Sequence, residues 1–77
     1  MVTERSKAIG ARMRQARKAR GIQQKDAAKN FYCTGAYLGQ MERGFRNVTE
    51  YAIQKAAEVY GVDIKWIRYG IGEMYGP

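Results

Sequence analysis

The chain has no histidine and only one cysteine, Cys33, in 77 residues. Those absences exclude a disulfide framework and a cysteine–histidine metal cluster. A lone thiol without an imidazole partner is also a poor nucleophile. The expectation is a protein that is not an enzyme and takes no metal and no cofactor. Acidic residues are scarce too, with seven Asp and Glu against fourteen Lys and Arg, for a net charge of +7. No stretch approaches the ~20 apolar residues that span a bilayer, and no apolar signal segment follows Met1. These absences point to a reduced, cytoplasmic, basic domain with no membrane partner. The apolar share of 45% is nevertheless too high for a disordered basic tail. Ten of the apolar residues are Ala, which implies a thin core between closely packed helices.

The positive charge is uneven. Seven of the fourteen cations fall in the first twenty residues: Arg5, Lys7, Arg12, Arg14, Arg17, Lys18 and Arg20. A solvated helix face explains such a run, and so does a footprint for a polyanion, since phosphate neutralisation drives non-specific nucleic-acid affinity. The apolar face of this segment is only Ile9, Met13 and Ala16, which disfavours a membrane surface. The charge density favours the polyanion.

Five short segments carry helical periodicity and none alternates as a strand does. Ile9, Met13 and Ala16 recur at helical spacing, and Gly21 closes that segment. A second helix is expected from Gln24 to about Phe31, with Ala27, Ala28 and Phe31 on one face. A third should be capped by Thr34 and run to Arg43, with Gly44 just beyond. The fourth is expected from about Asn47, which stands with Glu50 at the spacing of a capping box. It places Ile53, Ala56, Ala57 and Tyr60 on one stripe and stops at Gly61. Asp63 can cap a last helix carrying Ile64, Trp66 and Ile67 and ended by Gly70. The expected fold is all-α: five helices around one core over residues 1–70, with a flexible tail or linker stub over 71–77.

Barely three residues separate the second and third helices, which is the spacing of a helix-turn-helix. Leu38 and Met41 of the third helix point inward with Glu42 beside them. Ala36, Gln40 and Arg43 fall on the opposite side, flanked by Tyr37 and Gly39. Such an outward face suits a major groove: Gln can address adenine, and Ala can rest against a thymine methyl. Taken alone, the pattern equally fits an ordinary surface helix.

At these residues a resemblance becomes specific. From Ile9 to Gly70 the sequence resembles the lambda-repressor-like (Cro/cI, XRE-type) helix-turn-helix family of phage and bacterial DNA-binding proteins. The similarity lies in Ile9-Gly10-Ala11-Arg12-Met13-Arg14, in Ala16-Arg17 and in Gly21-Ile22-Gln23-Gln24. It continues through Ala28, Thr34, Tyr37-Leu38, Gln40-Met41-Glu42-Arg43-Gly44, Gly61-Val62 and Trp66-Ile67. The resemblance implies that Gln24 meets a phosphate at the start of the second helix. It implies that Thr34, Gly35, Ala36, Tyr37 and Gln40 approach base edges or nearby phosphates. Arg43, Arg46 and Asn47 match positions that hold the DNA backbone. Arg17 and Glu42 match a partly buried ion pair tying the first helix to the third.

Four positions depart from the family pattern. Tyr32 stands where a Gly is common in the turn; either the turn is left-handed there, at a cost to Tyr on the order of 1 kcal/mol, or it adopts another shape. Gln23 replaces the usual Ser or Thr cap, and Gly35 and Ala36 are small where relatives carry long polar side chains. Cys33 falls on an aliphatic core position, and Trp66 reads as a core anchor.

The implied function is a sequence-specific regulator of transcription, a phage or bacterial repressor that binds double-stranded DNA at a pseudo-palindromic operator. The dimer contact is expected from Ile64, Ile67 and Tyr69, the apolar surface left over near the end. So small a patch implies a homodimer that is weak without DNA. A C-terminal domain beyond Gly70 is compatible with the Gly-rich end. An antitoxin or a restriction-modification controller uses the same domain. A small basic RNA-binding protein is the alternative from another class, and it requires exposed stacking aromatics.

Overall fold

Thr3 opens the structure by capping the first helix, its hydroxyl oxygen accepting a bond from the Ser6 N–H at 3.0 Å. In the computed structural model, which describes residues 1–76, helix α1 then runs Glu4–Ala19 and α2 runs Gln24–Asn30. Helices α3 (Gly35–Arg43), α4 (Glu50–Tyr60) and α5 (Ile64–Tyr69) follow. Among the described residues there is no strand. Pro77, the last residue of the expected tail, lies outside the described residues.

Local chemistry sets these boundaries. Thr34, Thr49 and Asp63 each accept an N–H of the first turn and satisfy one of its orphan donors. Helices α3, α4 and α5 end at Gly44, Gly61 and Gly70, all in the left-handed region that glycine adopts without penalty. Helix α2 is the exception at its start: Gln23 makes no side-chain cap bond. Helix α4 corrects one expectation, since its cap is Thr49 and not Asn47. The Asn47 oxygen instead accepts the Thr3 N–H at 3.1 Å, drawing the N-terminus onto the loop before α4. Ser6 reinforces that join by accepting the Val48 N–H at 2.6 Å.

Helix α1 packs across α3, α4 and α5, while α2 packs on α3. The stripe Ile9, Met13 and Ala16 meets Leu38 and Met41 of α3, with Ile53, Ala56 and Tyr60 of α4, in one core. Trp66 and Ile67 close it from α5. The crossing of α1 and α3 is close at Gly10. A methyl group there would collide with the Met41 backbone carbonyl, so only hydrogen fits. Residues 71–76 turn back along the domain. The Asp63 N–H donates to the Met74 carbonyl at 2.7 Å, and the Arg20 guanidinium sits 5.0 Å from the Tyr75 ring centre.

Cys33 is half-buried beside the core, and burial pushes its thiol up from the usual range. Its neighbour Tyr32 holds φ at 54°, among the described residues the one non-glycine in the left-handed region. The turn therefore keeps the shape that a glycine would take and places a tyrosine in it. The ring is exposed and leans on Tyr51, with centroids 6.4 Å apart.

Two substitutions test this packing by thermal unfolding. Tyr32→Gly should be about 1 kcal/mol more stable than Tyr32→Ala, because both lose the ring and only alanine keeps the strain. That difference appears as a melting temperature ~4–8 °C higher. Gly10→Ala should destabilise by roughly 1–3 kcal/mol, as α1 and α3 must part to admit the methyl group.

Candidate nucleic-acid interface

Helix α3 has two faces with different tasks. Leu38, Gly39, Met41 and Glu42 are buried, whereas Ala36, Gln40 and Arg43 are exposed. Thr34 is exposed at the tip, with its hydroxyl oxygen accepting the Tyr37 N–H at 3.1 Å.

The inner face is anchored by charge. The Glu42 side chain has no exposed surface and that of Arg17 keeps 8%. Arg17 Nε donates to Glu42 Oε2 at 2.9 Å and Nη2 to Oε1 at 3.1 Å, a bidentate fork. Arg17 Nη1 donates to the Ile22 carbonyl at 2.7 Å, tying in the turn before α2. Gln24 Nε2 adds a bond to Glu42 Oε1 at 3.1 Å. A carboxylate removed from water needs such a set of donors to offset its desolvation. Gly39 gives the Gln24 amide close quarters: a Cβ there would lie 3.1 Å from its oxygen, so the side chain would have to shift slightly.

This arrangement gives several of these residues a structural setting as well. Gln24 is half-buried, and one of its amide hydrogens is committed to Glu42. Gly39 is buried beneath Gln24 and does not flank the exposed face. Gly35 is half-buried at the junction with α2, where a Cβ would stand 3.3 Å from Lys25 Cα.

The N-terminal cations do not form one continuous footprint. Arg12 Nε donates to the Ile67 carbonyl at 2.7 Å, at the end of α5. Arg20 Nε donates to the Tyr60 carbonyl at 2.7 Å, at the end of α4. With Arg17, three of the seven cations serve the fold, because unsatisfied helix carbonyls attract positive donors. Arg5, Lys7, Arg14 and Lys18 remain exposed on α1, with Lys7 3.4 Å from Glu4.

The outer face carries a cluster that sequence reasoning missed. Arg46, in the loop after α3, donates from Nε to Gln40 Oε1 at 3.1 Å. The same guanidinium lies over the half-buried Tyr37 ring, 4.5 Å from its centroid. No local pattern announces this contact, since it depends on how the chain turns at Gly44. Arg43 and Asn47 are exposed nearby, with Asn47 engaged to Thr3 and Met1.

With two short helices, a tight turn and an exposed second helix in place, comparison with known proteins is decisive. A helix-turn-helix family model matches residues 13–67. The chain belongs to the helix-turn-helix family. Membership places it among DNA-binding transcriptional regulators. The helix-turn-helix fold here is similar to that of the clp gene regulator ClgR from C. glutamicum, with a TM-score of 0.77. The identity is 22% and 84% of each chain is covered, so that likeness concerns the fold alone. No curated protein gives a match.

The Arg17–Glu42 pair sets up a direct measurement. Glu42→Ala strands a guanidinium among the helices and should cost roughly 3–5 kcal/mol in denaturant unfolding. Combining Arg17→Met with Glu42→Leu removes both charges and refills the space with apolar groups. That double variant should retain more stability than Glu42→Ala alone. A melting temperature unmoved by Glu42→Ala would contradict the burial described.

Proposed function

We propose that the chain represses transcription by occupying a pseudo-palindromic operator in double-stranded DNA as a homodimer. One observation carries the reading. The side of α3 that faces solvent consists of Thr34, Ala36, Gln40 and Arg43, while its other side is locked by the buried Arg17–Glu42–Gln24 network. A helix so held, with a small residue near its tip, can enter a major groove without rearranging. In this reading Gln40 meets a base edge and Arg43 a phosphate. The helix N-terminus at Thr34 supplies backbone N–H groups to the phosphate chain.

One recognition helix contacts too few base pairs to select a site, which supports doubling by two-fold symmetry. The surface for that contact is smaller than the sequence implies. Ile67 has 0% exposure and belongs to its own core, because α5 is only six residues long and turns both Trp66 and Ile67 inward. Ile64 is half-buried, whereas Tyr69 and Ile71 are 59% and 63% exposed. Tyr69, Ile71 and part of Ile64 make a weak dimer that operator DNA assembles, or a secondary contact beside a further C-terminal domain. An antitoxin or a restriction-modification controller would use the same surfaces. Phe31 and Trp66 are buried, which disfavours an RNA-binding role for those rings.

The test is a selection of duplexes from a random pool, followed by titration and mass measurement on the winning site. Two protomers should bind each palindromic duplex, and Tyr69→Asp with Ile71→Asp should reduce cooperativity. Arg43→Ala should weaken specific and random duplexes alike and lower the salt slope by about one. Binding of one protomer per duplex at saturation would refute the dimer. Tighter binding to single-stranded RNA than to any duplex would refute the DNA reading.

A further inference from the structure

The Tyr37–Gln40–Arg46 cluster has a chemical consequence for base selection. An amide side chain can present either its oxygen or its nitrogen to a partner, and the two are hard to tell apart by shape. Here the partner decides. Arginine has donors and no acceptor, so Gln40 must turn its oxygen toward Arg46 Nε, 3.1 Å away. Gln40 Nε2 and its two hydrogens then point away from Arg46, on the exposed side of α3. The Tyr37 ring, 4.5 Å from the guanidinium carbon, gives Arg46 a flat surface to rest on. The ring contact steadies the guanidinium, and the guanidinium in turn orients the amide.

We infer that Arg46 determines specificity by orienting Gln40, so that a donor leads toward the base edge. This rests on the DNA reading above. A leading donor selects a base that offers a major-groove acceptor: N7 or O6 of guanine, N7 of adenine, or O4 of thymine. It rejects cytosine on the strand it faces, whose major-groove edge presents only the N4 donor. Arg46 is thus a positioning residue for readout, and its remaining N–H groups are left for a neighbouring phosphate. A residue that only held phosphate would alter affinity without altering preference.

The experiment measures binding of the full chain to its selected duplex and to all single-base variants of it. Gln40→Ala identifies the base pair that Gln40 reads, as the position where discrimination collapses. Arg46→Ala should change preference at that same position, reducing the penalty for cytosine by about fivefold or more while leaving other positions alone. Arg46→Lys keeps the charge but lacks the planar fork, so it should recover overall affinity and not the lost discrimination. Tyr37→Leu should weaken discrimination at the same position and nowhere else. If Arg46→Ala weakens every duplex by one factor with preference intact, Arg46 is a phosphate contact alone. The inference then fails while the DNA reading stands. If Gln40→Ala changes preference nowhere, the inference also fails. If the unaltered chain selects no duplex, the DNA reading fails and takes the inference with it.

Discussion

Glu42 is a carboxylate with no route to water, and the arrangement of the first three helices follows from what it requires. Its two oxygens receive three bonds, two from Arg17 on α1 and one from Gln24 at the start of α2. Because the acceptor sits on α3, the angle of that helix is set relative to both neighbours at once. An apolar contact tolerates sliding, whereas a bidentate fork does not. One glycine permits the approach: Gly10 lets the α1 and α3 backbones touch. The ionic network need not add net stability over an apolar equivalent, since desolvation offsets much of the attraction. Its contribution is to orientation, since it fixes α3 against both α1 and α2.

The arginines of α1 and its C-cap divide between those that tie helices together and those left free on the surface. Arg12, Arg17 and Arg20 reach carbonyls at Ile67, Ile22 and Tyr60, each near the end of a helix or the start of a turn. A fold made of five short helices has many terminal carbonyls for its size, and a long donor side chain satisfies them without extra backbone. Charge that looks like a binding surface in the sequence is thus partly a set of internal ties. Arg68 ties α5 to α4 differently, by an ion pair with Glu50 at 2.7 Å that holds that carboxyl below its ordinary range. Of the α1 cations, Arg5, Lys7, Arg14 and Lys18 stay exposed, as do Arg43 and Arg46 at the end of α3 and in the loop after it.

Much of this molecule is legible one segment at a time. Helix ends at Gly44, Gly61 and Gly70, caps at Thr34 and Asp63, and the inward stripe Ile9, Met13 and Ala16 all follow from backbone preference and periodicity. The left-handed turn at Tyr32 is foreshadowed only by the family resemblance, which has a glycine there, since nothing local to a tyrosine asks for that conformation. Sequence and structure part where a residue has a choice between a local partner and a distant one. Asn47 could cap a helix by its spacing to Glu50, yet Thr3 lies within its reach and Thr49 caps the helix. Ile67 reads as spare on a helix wheel and is enclosed once α1 packs against α5.

The helices, their limits, the apolar stripe of each and the helix-turn-helix spacing are written in the order of residues, because they depend on torsions and periodicities within a few positions. Folding then chose which arginines face inward, turned Gln24 to Glu42, and set the Gln40 amide against Arg46 in one orientation. These are contacts between groups separated by a turn or by another helix. The free energy of a polar side chain is set by whichever partner the fold brings within about 3 Å, and no local rule contains that distance.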